Sequence, residues 1–248
     1  DIHAGGIDLI FPHHENEIAQ SVCAHSGTPF VNYWMHNGYV TVDGEKMSKS
    51  LGNFYTVKQM LDDGWDGETI RLALLKTHYR QPLNFSLRGL QDAKSELDRF
   101  YRAIRGHTLT EILTYPAEDR CSSVEETLKN DLNTPGAIHQ LHGAASRLFR
   151  LSNNDQSVLK LKNLFIKDAN LLGILQRDPE DWFQGINKTS DDKIDTFFVE
   201  DTTALRNAAR AMGDFAEADR LREVLSAKNI ILEDGVDGTV WKVGDRRK

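Results

Sequence analysis

Two lysines and two serines lie within one short stretch of this sequence, close to its N-terminal end. The stretch is Lys46-Met47-Ser48-Lys49-Ser50. Lysine ammonium groups supply point charges that stabilise a developing phosphate charge, and serine hydroxyls donate hydrogen bonds to phosphate oxygens. Gly44 and Gly52 flank the stretch and give its backbone conformational freedom. These residues fit a loop that handles pyrophosphate, and charge alone leaves open a solvated loop that binds nothing.

A histidine and a glutamate, His13 and Glu17, follow Pro12 at helical spacing. Proline is favoured in the first turn of a helix and acidic residues such as Glu15 are preferred there, so the sequence predicts a helix start. On that helix His13 and Glu17 share one face and are able to supply two ligands of a tetrahedral zinc site. A simple hydrogen-bonded or exposed pair is the alternative, because two ligands do not complete a site.

The residues before this helix suit a strand that ends at a ligand. Asp1-Ile2-His3 is typical of the end of a strand, and Gly5-Gly6 allows a ligand to approach the backbone closely. The carboxylate of Asp8 is able to accept a hydrogen bond from a ribose hydroxyl. Because the chain opens inside this motif without an initiator methionine, we expect it to be the C-terminal part of a longer protein.

The composition is that of an ordinary globular protein, with 40% hydrophobic and 27% charged residues in 248. That length predicts two or three compact units. No apolar run approaches the roughly 18 residues of a membrane span, and no secretory signal is present, so we expect no membrane contact and a cytoplasmic location. A net charge of −7 argues against indiscriminate nucleic-acid binding. Cys23 and Cys121 form no disulfide framework, and Cys23 is predicted to be buried.

Periodicity predicts a mainly helical chain around these motifs. A strand and turn over 39–44 lead into the lysine-serine loop, and Tyr33 and Trp34 are predicted to pack in the core. Ser123 is predicted to begin a capping box, and Thr134 to cap the following helix. Helices are predicted at about 67–75, 86–106, 123–131, 134–149, 159–172, 198–212 and 214–228, with linkers at 107–121 and 176–191 and two terminal strands from Ile230 to Val243.

Taken together, the motifs resemble those of cysteinyl-tRNA synthetases, which are class I aminoacyl-tRNA synthetases. The first motif runs from Asp1 to Glu17 and includes Phe11-Pro12-His13-His14-Glu15-Asn16-Glu17. The second is Lys46-Met47-Ser48-Lys49-Ser50-Leu51-Gly52-Asn53. The ending Leu232-Glu233-Asp234-Gly235, followed by Trp241, is similar too. Two cysteine ligands of the family's zinc and its His-Ile-Gly-His motif lie upstream in those enzymes and are absent from this sequence.

The resemblance implies a role for each motif residue. Zinc would be held by His13 and Glu17, and it would bind the thiolate of the substrate cysteine. The adenylate site, for ATP with magnesium, would be lined by His3, Gly5, Gly6, Asp8 and Lys49, and His36 is a further candidate. The catalytic residues would be Lys46, Ser48, Lys49 and Ser50, which act on the pyrophosphate. The implied partners are cysteine, ATP and tRNA(Cys), and a monomer is expected.

The resemblance also implies the fold class and the domain division. The expected fold is mainly α: a remnant of a Rossmann-like α/β catalytic domain, then a helical bundle and a small α+β anticodon-binding unit. The predicted domains are 1–55 with the zinc half-site and lysine-serine loop, 56–85 for stem contact, 86–190 for the bundle and 191–248 for the anticodon. In the last domain, Trp241 is either a stacking face for RNA beside Lys242, Arg246, Arg247 and Lys248 or a core residue.

Two alternatives to a cysteine–tRNA ligase remain open on the sequence. A paralogous ligase would join cysteine to an amino sugar by the same adenylate chemistry, although residues 120–248 speak against it. The other alternative is an RNA-binding fragment without catalysis. Because the upstream motifs are absent, this chain alone is predicted to be inactive.

Overall fold

The computed structural model describes residues 1–47, 55–116, 121–151, 156–185, 194–235 and 238–244. The chain divides into two compact units, one of residues 1–103 and 112–176 and one of residues 104–111 and 177–248. The predicted four-part domain division stays a prediction. Among the described residues, none of the helices combines the length and the apolar character that crossing a membrane requires.

The first unit begins with a strand, a helix and a second strand. These are β1 (Ile2–Gly6), α1 (Glu15–Ala24) and β2 (Tyr33–Asn37). The two strands pair in parallel, which requires a crossover connection, and α1 lies within that connection. The predicted strand at the N-terminus and the predicted helix after Pro12 are both present, although α1 begins only at Glu15.

A second small sheet follows, with strand order β4-β3-β5. Its elements and neighbours are β3 (Val40–Val42), β4 (Glu45–Lys46), α2 (Val57–Asp62), α3 (Gly67–Leu75) and β5 (Leu83–Phe85). Asp43 and Gly44 form the β3–β4 turn with φ of 50° and 86°, the left-handed region that Asp-Gly hairpin turns use. Val42, Met60, Trp65, Ile70, Phe85 and Leu90 form the core beneath it.

The rest of the first unit is helical, and the helices predicted at 86–106, 123–131, 134–149 and 159–172 are all present, with ends that differ by up to three residues. The helices are α4 (Leu87–Ile104), α5 (Leu109–Leu113), α6 (Ser123–Lys129), α7 (Thr134–Leu148) and α8 (Gln156–Leu171), with α5 contributing from Ile112 onward. Leu90, Leu97 and Tyr101 lie on one face of α4 and are fully buried. The predicted linker over 107–121 was wrong in part, because it contains α5, whose Ile112 is buried.

Both predicted N-caps in this region were wrong by one residue. The hydroxyl of Ser122 accepts from the Glu125 amide, and the side chain of Asn133 accepts from the Gly136 amide. A cap residue precedes the first helical residue and keeps extended or non-helical backbone, and Ser123 and Thr134 are already helical. The hydroxyl of Thr134 instead donates to the Leu75 carbonyl at 2.7 Å, at the end of α3.

Asp131 makes a second link between the α6–α7 turn and the segment after α3. The Tyr79 hydroxyl donates to Asp131 Oδ1 at 2.6 Å, and Arg80 Nε lies 2.7 Å from Oδ2. These bonds lower the pKa of Asp131, through the Tyr79 hydroxyl first and Arg80 second. Tyr79 also accepts a backbone hydrogen bond from Gly38, where a Cβ would collide with the Gln81 carbonyl.

A buried carboxylate, Glu68 on α3, connects three parts of the first unit. The Tyr101 hydroxyl of α4 lies 3.0 and 2.9 Å from its two oxygens. The backbone amides of Leu175 and Gln176, which follow α8, donate to it at 2.9 and 3.3 Å. Buried carboxylates require such donors, so Glu68 holds this segment to the α3–α4 pair.

The second unit combines helices with a hairpin. Its elements are α9 (Pro179–Gln184), α10 (Thr196–Ala211), α11 (Phe215–Ala227), β6 (Ile230–Gly235) and β7 (Gly238–Val243). Val199, Leu225, Ile230, Leu232 and Trp241 form its core. The two helices and the hairpin were predicted, and Asp214 caps α11 through the Glu217 amide. The predicted linker over 176–191 was wrong in part, because α9 lies within it.

An ion pair in this unit gives a test of its acid stability. Arg206, 4% exposed, contacts both Asp234 oxygens at 2.6 and 2.7 Å. The Arg206 hydrogen bonds hold the pKa of Asp234 well below its usual value. A group whose folded-state pKa is depressed stabilises the protein above its unfolded pKa of about 4 and loses that contribution as the pH falls.

We expect Asp234→Asn to lower the Tm of the chain at pH 6 and to reduce the fall in Tm between pH 5 and pH 3, because the variant has lost the titrating carboxylate. Thermal unfolding followed by circular dichroism across this range measures both effects. Asp201→Asn, on the exposed face of α10, is the control. An equal loss of Tm on acidification in Asp234→Asn and in the unsubstituted chain contradicts the assignment.

Candidate functional site

The parallel pairing of β1 and β2 brings polar side chains of the first motif together with those of the second strand. His3 lies opposite Trp34, and Gly5 lies opposite His36. Gly5 and His36 are near the carboxyl ends of the two strands. In open α/β sheets, ligands bind outside the carboxyl ends of parallel strands, so this edge is the expected location for a site.

His14 lies at the centre of this group. The turn from Ile10 to His14 contains one residue with extended backbone, Phe11, with φ of −131° and ψ of 132°. His14 itself is only 5% exposed, and its Nδ1 lies 2.8 Å from His36 Nε2. A hydrogen bond to one ring nitrogen orients the imidazole and leaves its other nitrogen, Nε2, for a ligand.

Glu17 joins this group from the first turn of α1. Its Oε2 lies 3.0 Å from His3 Nε2. His3, His14 and Glu17 each offer one ligand atom, and the three atoms lie within 4.8 Å of one another. His13, the predicted partner of Glu17, is exposed and does not belong to this three-residue cluster.

Two histidines and a carboxylate are a donor set that protein zinc sites use. The described residues at this edge therefore fit zinc in both the type and the proximity of their donors. The orienting contact from His36 to His14 is of the kind that supports metal-bound histidines.

An aromatic wall supports the three donors. The ring of Trp34 lies 5.0 Å from that of His3, 5.3 Å from that of His14 and 5.8 Å from that of His36, between ring centroids. Phe30 adds a contact to His3 at 5.2 Å. Such packing fixes ring orientation as well as excluding water. Trp34 was predicted to pack in the core, but it is only half-buried and packs against the histidine rings instead.

Two predicted core residues near the site are not in the core. Tyr33 is 70% exposed, because it alternates with Trp34 along β2 and so occupies the opposite face of the strand. Cys23 is also exposed, since it lies on the outward side of α1. Within the described chain, Cys23 is not part of the His3–His14–Glu17 cluster.

Of the predicted adenylate residues, His3 belongs to the histidine cluster, Gly5, Gly6 and Asp8 lie close to it in the chain, and Lys49 lies outside the described residues. A Cβ at Gly5 would approach His14 Cε1 to 3.0 Å, so only glycine leaves the imidazole its full room. A Cβ at Gly6 would collide with Asp8, whose side chain folds back towards the end of β1. Asp8 is exposed and lies within the short turn Ile7–Leu9 that follows the strand.

The predicted pyrophosphate loop starts from the β3–β4 hairpin. The backbone of Lys46 pairs with Thr41 across the two strands, and Met47 packs against the core that contains Val42. Ser48, Lys49 and Ser50 lie outside the described residues. The structure thus places the beginning of the loop and leaves the roles of its residues as predictions.

Comparison with known proteins matches both halves of the first unit. Residues 1–95 match the family described as tRNA synthetases class I (C) catalytic domain, and residues 123–176 match the DALR domain. A cysteine–tRNA ligase of Paramagnetospirillum magneticum is 48% identical over 244 residues, which are 98% of this chain and 52% of the relative. The chain belongs to the cysteine–tRNA ligase family. It spans about half the length of the curated relatives it matches.

Other relatives of this cysteine–tRNA ligase family agree. The cysteine–tRNA ligase of Parvibaculum lavamentivorans is also 48% identical, over 98% of this chain and 51% of its own length. A solved structure, the LeuRS–tRNA–LeuAMS ternary complex of Agrobacterium radiobacter K84, superposes with a TM-score of 0.54. The superposed region includes 69% of this chain and 25% of the LeuRS chain, with 22% sequence identity. This similarity supports the fold. The predicted family and the mainly helical fold class are confirmed.

Sequence reasoning missed His14 as the buried histidine of this cysteine–tRNA ligase motif. The prediction paired Glu17 with His13 at i, i+4, whereas His14 at i, i+3 is equally able to reach the same helix face. The usable signal was the alternation in β2, which predicts Trp34 and His36 on one side of the strand, two residues apart.

Proposed function

We propose that this chain is the C-terminal half of a cysteine–tRNA ligase. The complete enzyme would join cysteine and ATP into cysteinyl-adenylate with release of pyrophosphate, then transfer cysteine to tRNA(Cys). The observation that carries the proposal is the 48% identity to cysteine–tRNA ligases over 98% of the chain. The histidine-glutamate cluster at the carboxyl edge of β1 and β2 supports it.

We propose zinc as the metal of this site, with Glu17 as a ligand. The histidine ligands come from His13, which the family motif favours, or from His3 and His14, which the geometry favours. Zinc would supply a soft Lewis acid that binds the thiolate of cysteine and so separates cysteine from serine or alanine. A bond of this kind discriminates better than pocket size, which contributes about 1–3 kcal/mol.

The nucleotide would bind beside this site. Gly5 and Gly6 allow close approach of the adenylate, and the exposed carboxylate of Asp8 is available for a ribose hydroxyl. Lys46 and Lys49 would stabilise the pyrophosphate of ATP, which enters with magnesium, and Ser48 and Ser50 would orient it.

The proposed RNA partner is tRNA(Cys), and an exposed aromatic residue of the second unit is a candidate for stacking on one of its bases. Trp241 is only 5% exposed, so the interpretation of Trp241 as a stacking face was wrong and the core alternative holds. Lys242 is paired with Glu233 at 2.6 Å, and Arg246, Arg247 and Lys248 lie outside the described residues. Phe215, at the start of α11, is 65% exposed, and we propose it as the residue on which an unpaired base stacks.

The test is cysteine-dependent ATP–pyrophosphate exchange by a full-length protein that carries this chain as its C-terminal half. We expect exchange by the full-length protein and none by the 248-residue chain alone, because the upstream motifs of the family are missing from it. Lys49→Ala in the full-length protein is expected to slow exchange more than about tenfold, since losing one charged donor to the transition state costs several kcal/mol.

Transfer assays separate the proposal from its alternatives. The full-length protein should charge tRNA(Cys) with cysteine and should not ligate cysteine to an amino sugar. Amino-sugar ligation without tRNA charging would indicate the paralogous ligase. Absence of exchange in a full-length protein that still binds tRNA would indicate a non-catalytic RNA-binding protein, and exchange by the chain alone would contradict the need for the missing half.

A further inference from the structure

We propose that Asn84 is a positioning residue for Lys46, the first lysine of the predicted pyrophosphate loop. Its side-chain oxygen fixes the Asp43–Gly44 turn and thereby the backbone from which the loop begins. Neither the family motifs nor the predicted site residues include Asn84. Its consequence for catalysis rests on the proposed function, whereas its effect on the turn does not.

The first argument is the pair of hydrogen bonds that Asn84 accepts. Its Oδ1 lies 2.9 Å from the backbone nitrogen of Gly44 and 3.2 Å from the Thr41 hydroxyl. A backbone N–H only donates, so the oxygen and not the nitrogen of the amide faces the turn. One side-chain atom on β5 thus holds both the strand before the turn and the turn itself.

The second argument is the register of the sheet. Thr41 is the central residue of β3, and it pairs with Lys46 on β4 on one side and with Asn84 on β5 on the other. The three residues therefore occupy one row across three strands. A change in the Asn84–Thr41 contact is transmitted to the backbone of Lys46 through a single intervening residue.

The third argument is that β5 is itself held in place by backbone hydrogen bonds and core packing, so that Asn84 is able to orient the turn. The amide of Leu83 donates to the Tyr39 carbonyl at 3.0 Å, and the amide of Asp43 donates to the Phe85 carbonyl at 3.3 Å. The Phe85 side chain lies in the core with Val42. The β4 strand has only two residues, so the turn depends on contacts with β5 for its orientation.

Positioning of this kind affects rate more than substrate binding. A small displacement of a charged group from the reacting phosphate reduces the rate, even when the substrate binds normally, because catalysis depends on alignment in the transition state. The Asp-Gly pair favours this turn by itself. Removal of the Asn84 contact is therefore expected to loosen the orientation of the turn without unfolding the unit.

The test compares Asn84→Ala with Asn84→Asp, which keeps an acceptor oxygen at the same position. In the 248-residue chain, solvent exchange of the Gly44 amide proton, measured by NMR, is expected to be about fivefold faster in Asn84→Ala, since one hydrogen bond contributes roughly 1 kcal/mol. It should be unchanged in Asn84→Asp and in Gln91→Ala, which removes an exposed amide from α4.

The same variants in the full-length protein test the consequence for catalysis. We expect the kcat of cysteine-dependent pyrophosphate exchange to fall about tenfold in Asn84→Ala, with the KM for cysteine unchanged, and to recover in Asn84→Asp. Unchanged Gly44 exchange overturns the structural proposal. Faster Gly44 exchange with unchanged kcat overturns the positioning role.

Failure of the proposed function gives a different result. In that case the unsubstituted full-length protein shows no cysteine-dependent exchange, while the NMR comparison still reports whether Asn84 orders the turn. A fall in Tm equal in Asn84→Ala and Asn84→Asp, with no recovery of kcat in the latter, would assign Asn84 to general stability instead and would overturn the proposal.

Discussion

Glu17→Gln is expected to lower the zinc affinity of the full-length protein by more than about 100-fold, because loss of a mere supporting partner already costs 10–100-fold. Glutamine keeps the shape of the side chain and removes the charge that a zinc ligand requires. Glu17 belongs to both candidate ligand sets, and its oxygen lies 3.0 Å from His3 Nε2. Competition with a chromogenic chelator measures the affinity, and elemental analysis measures the zinc content.

The matched control is Glu15→Gln, which removes an exposed carboxylate two residues earlier in the same helical turn. Its zinc affinity should equal that of the unsubstituted protein. Equal affinity in Glu17→Gln would contradict the metal site at this edge of the sheet. Loss of charge in general would affect both variants to the same extent.

Two histidine variants then decide which ligand set is used. Zinc loss in His13→Ala with retention in His14→Ala supports the pair predicted from the motif. The reverse result supports the cluster of His3, His14 and Glu17. Because His14 is buried and contacts His36, its variant should also be checked for Tm, so that unfolding is not mistaken for ligand loss.

Glu68→Ala is expected to reduce the free energy of unfolding by about 3 kcal/mol or more, since buried donors left without a partner cost about 1–3 kcal/mol each. The variant removes the acceptor of the Tyr101 hydroxyl and of the Leu175 amide, and both donors are buried. Urea unfolding followed by circular dichroism gives the free energy.

Tyr101→Phe and a double-variant cycle make this prediction specific. Tyr101→Phe should cost about 1 kcal/mol, because it removes one hydrogen bond and keeps the ring. The effects of Glu68→Ala and Tyr101→Phe should not add, since the two side chains are in contact. Glu223→Ala, at an exposed position of α11, is the control. Additive effects would contradict a direct interaction.

Helices whose apolar residues repeat over several turns could be predicted from the sequence. Elements that depend on contacts between distant parts of the sequence could not. The stripe containing Leu97 and Tyr101 repeats over a helix of 18 residues, so periodicity suffices there. The short helices α5 and α9 have no such repeat. Residues that are distant in sequence contact these helices, and one example is the hydrogen bond from the Leu109 amide to Asp178 Oδ1 at 2.7 Å.

The same distinction between local pattern and distant contacts explains which site residues could be predicted. The motif identified His3, Gly5 and Glu17, which the structure does bring to one edge of a sheet. Spacing failed between His13 and His14, because on a helix both lie about one turn before Glu17, and which of them is buried depends on the contact with His36 of β2. For Trp241 the sequence left a stacking face and a core residue open, because its burial depends on how α10, α11 and the hairpin pack and not on local sequence.

The links from Thr134 to Leu75 and from Asp131 to Tyr79 and Arg80 bear on how this chain tolerates recombination. They join a segment inside the region of the class I catalytic family to a segment inside the DALR region, across more than 50 positions of sequence. A chimera that exchanges one region between relatives therefore inherits mismatched partners. In a functional chimera, we therefore expect residues 75–80 and residues 131–134 to come from the same parent protein.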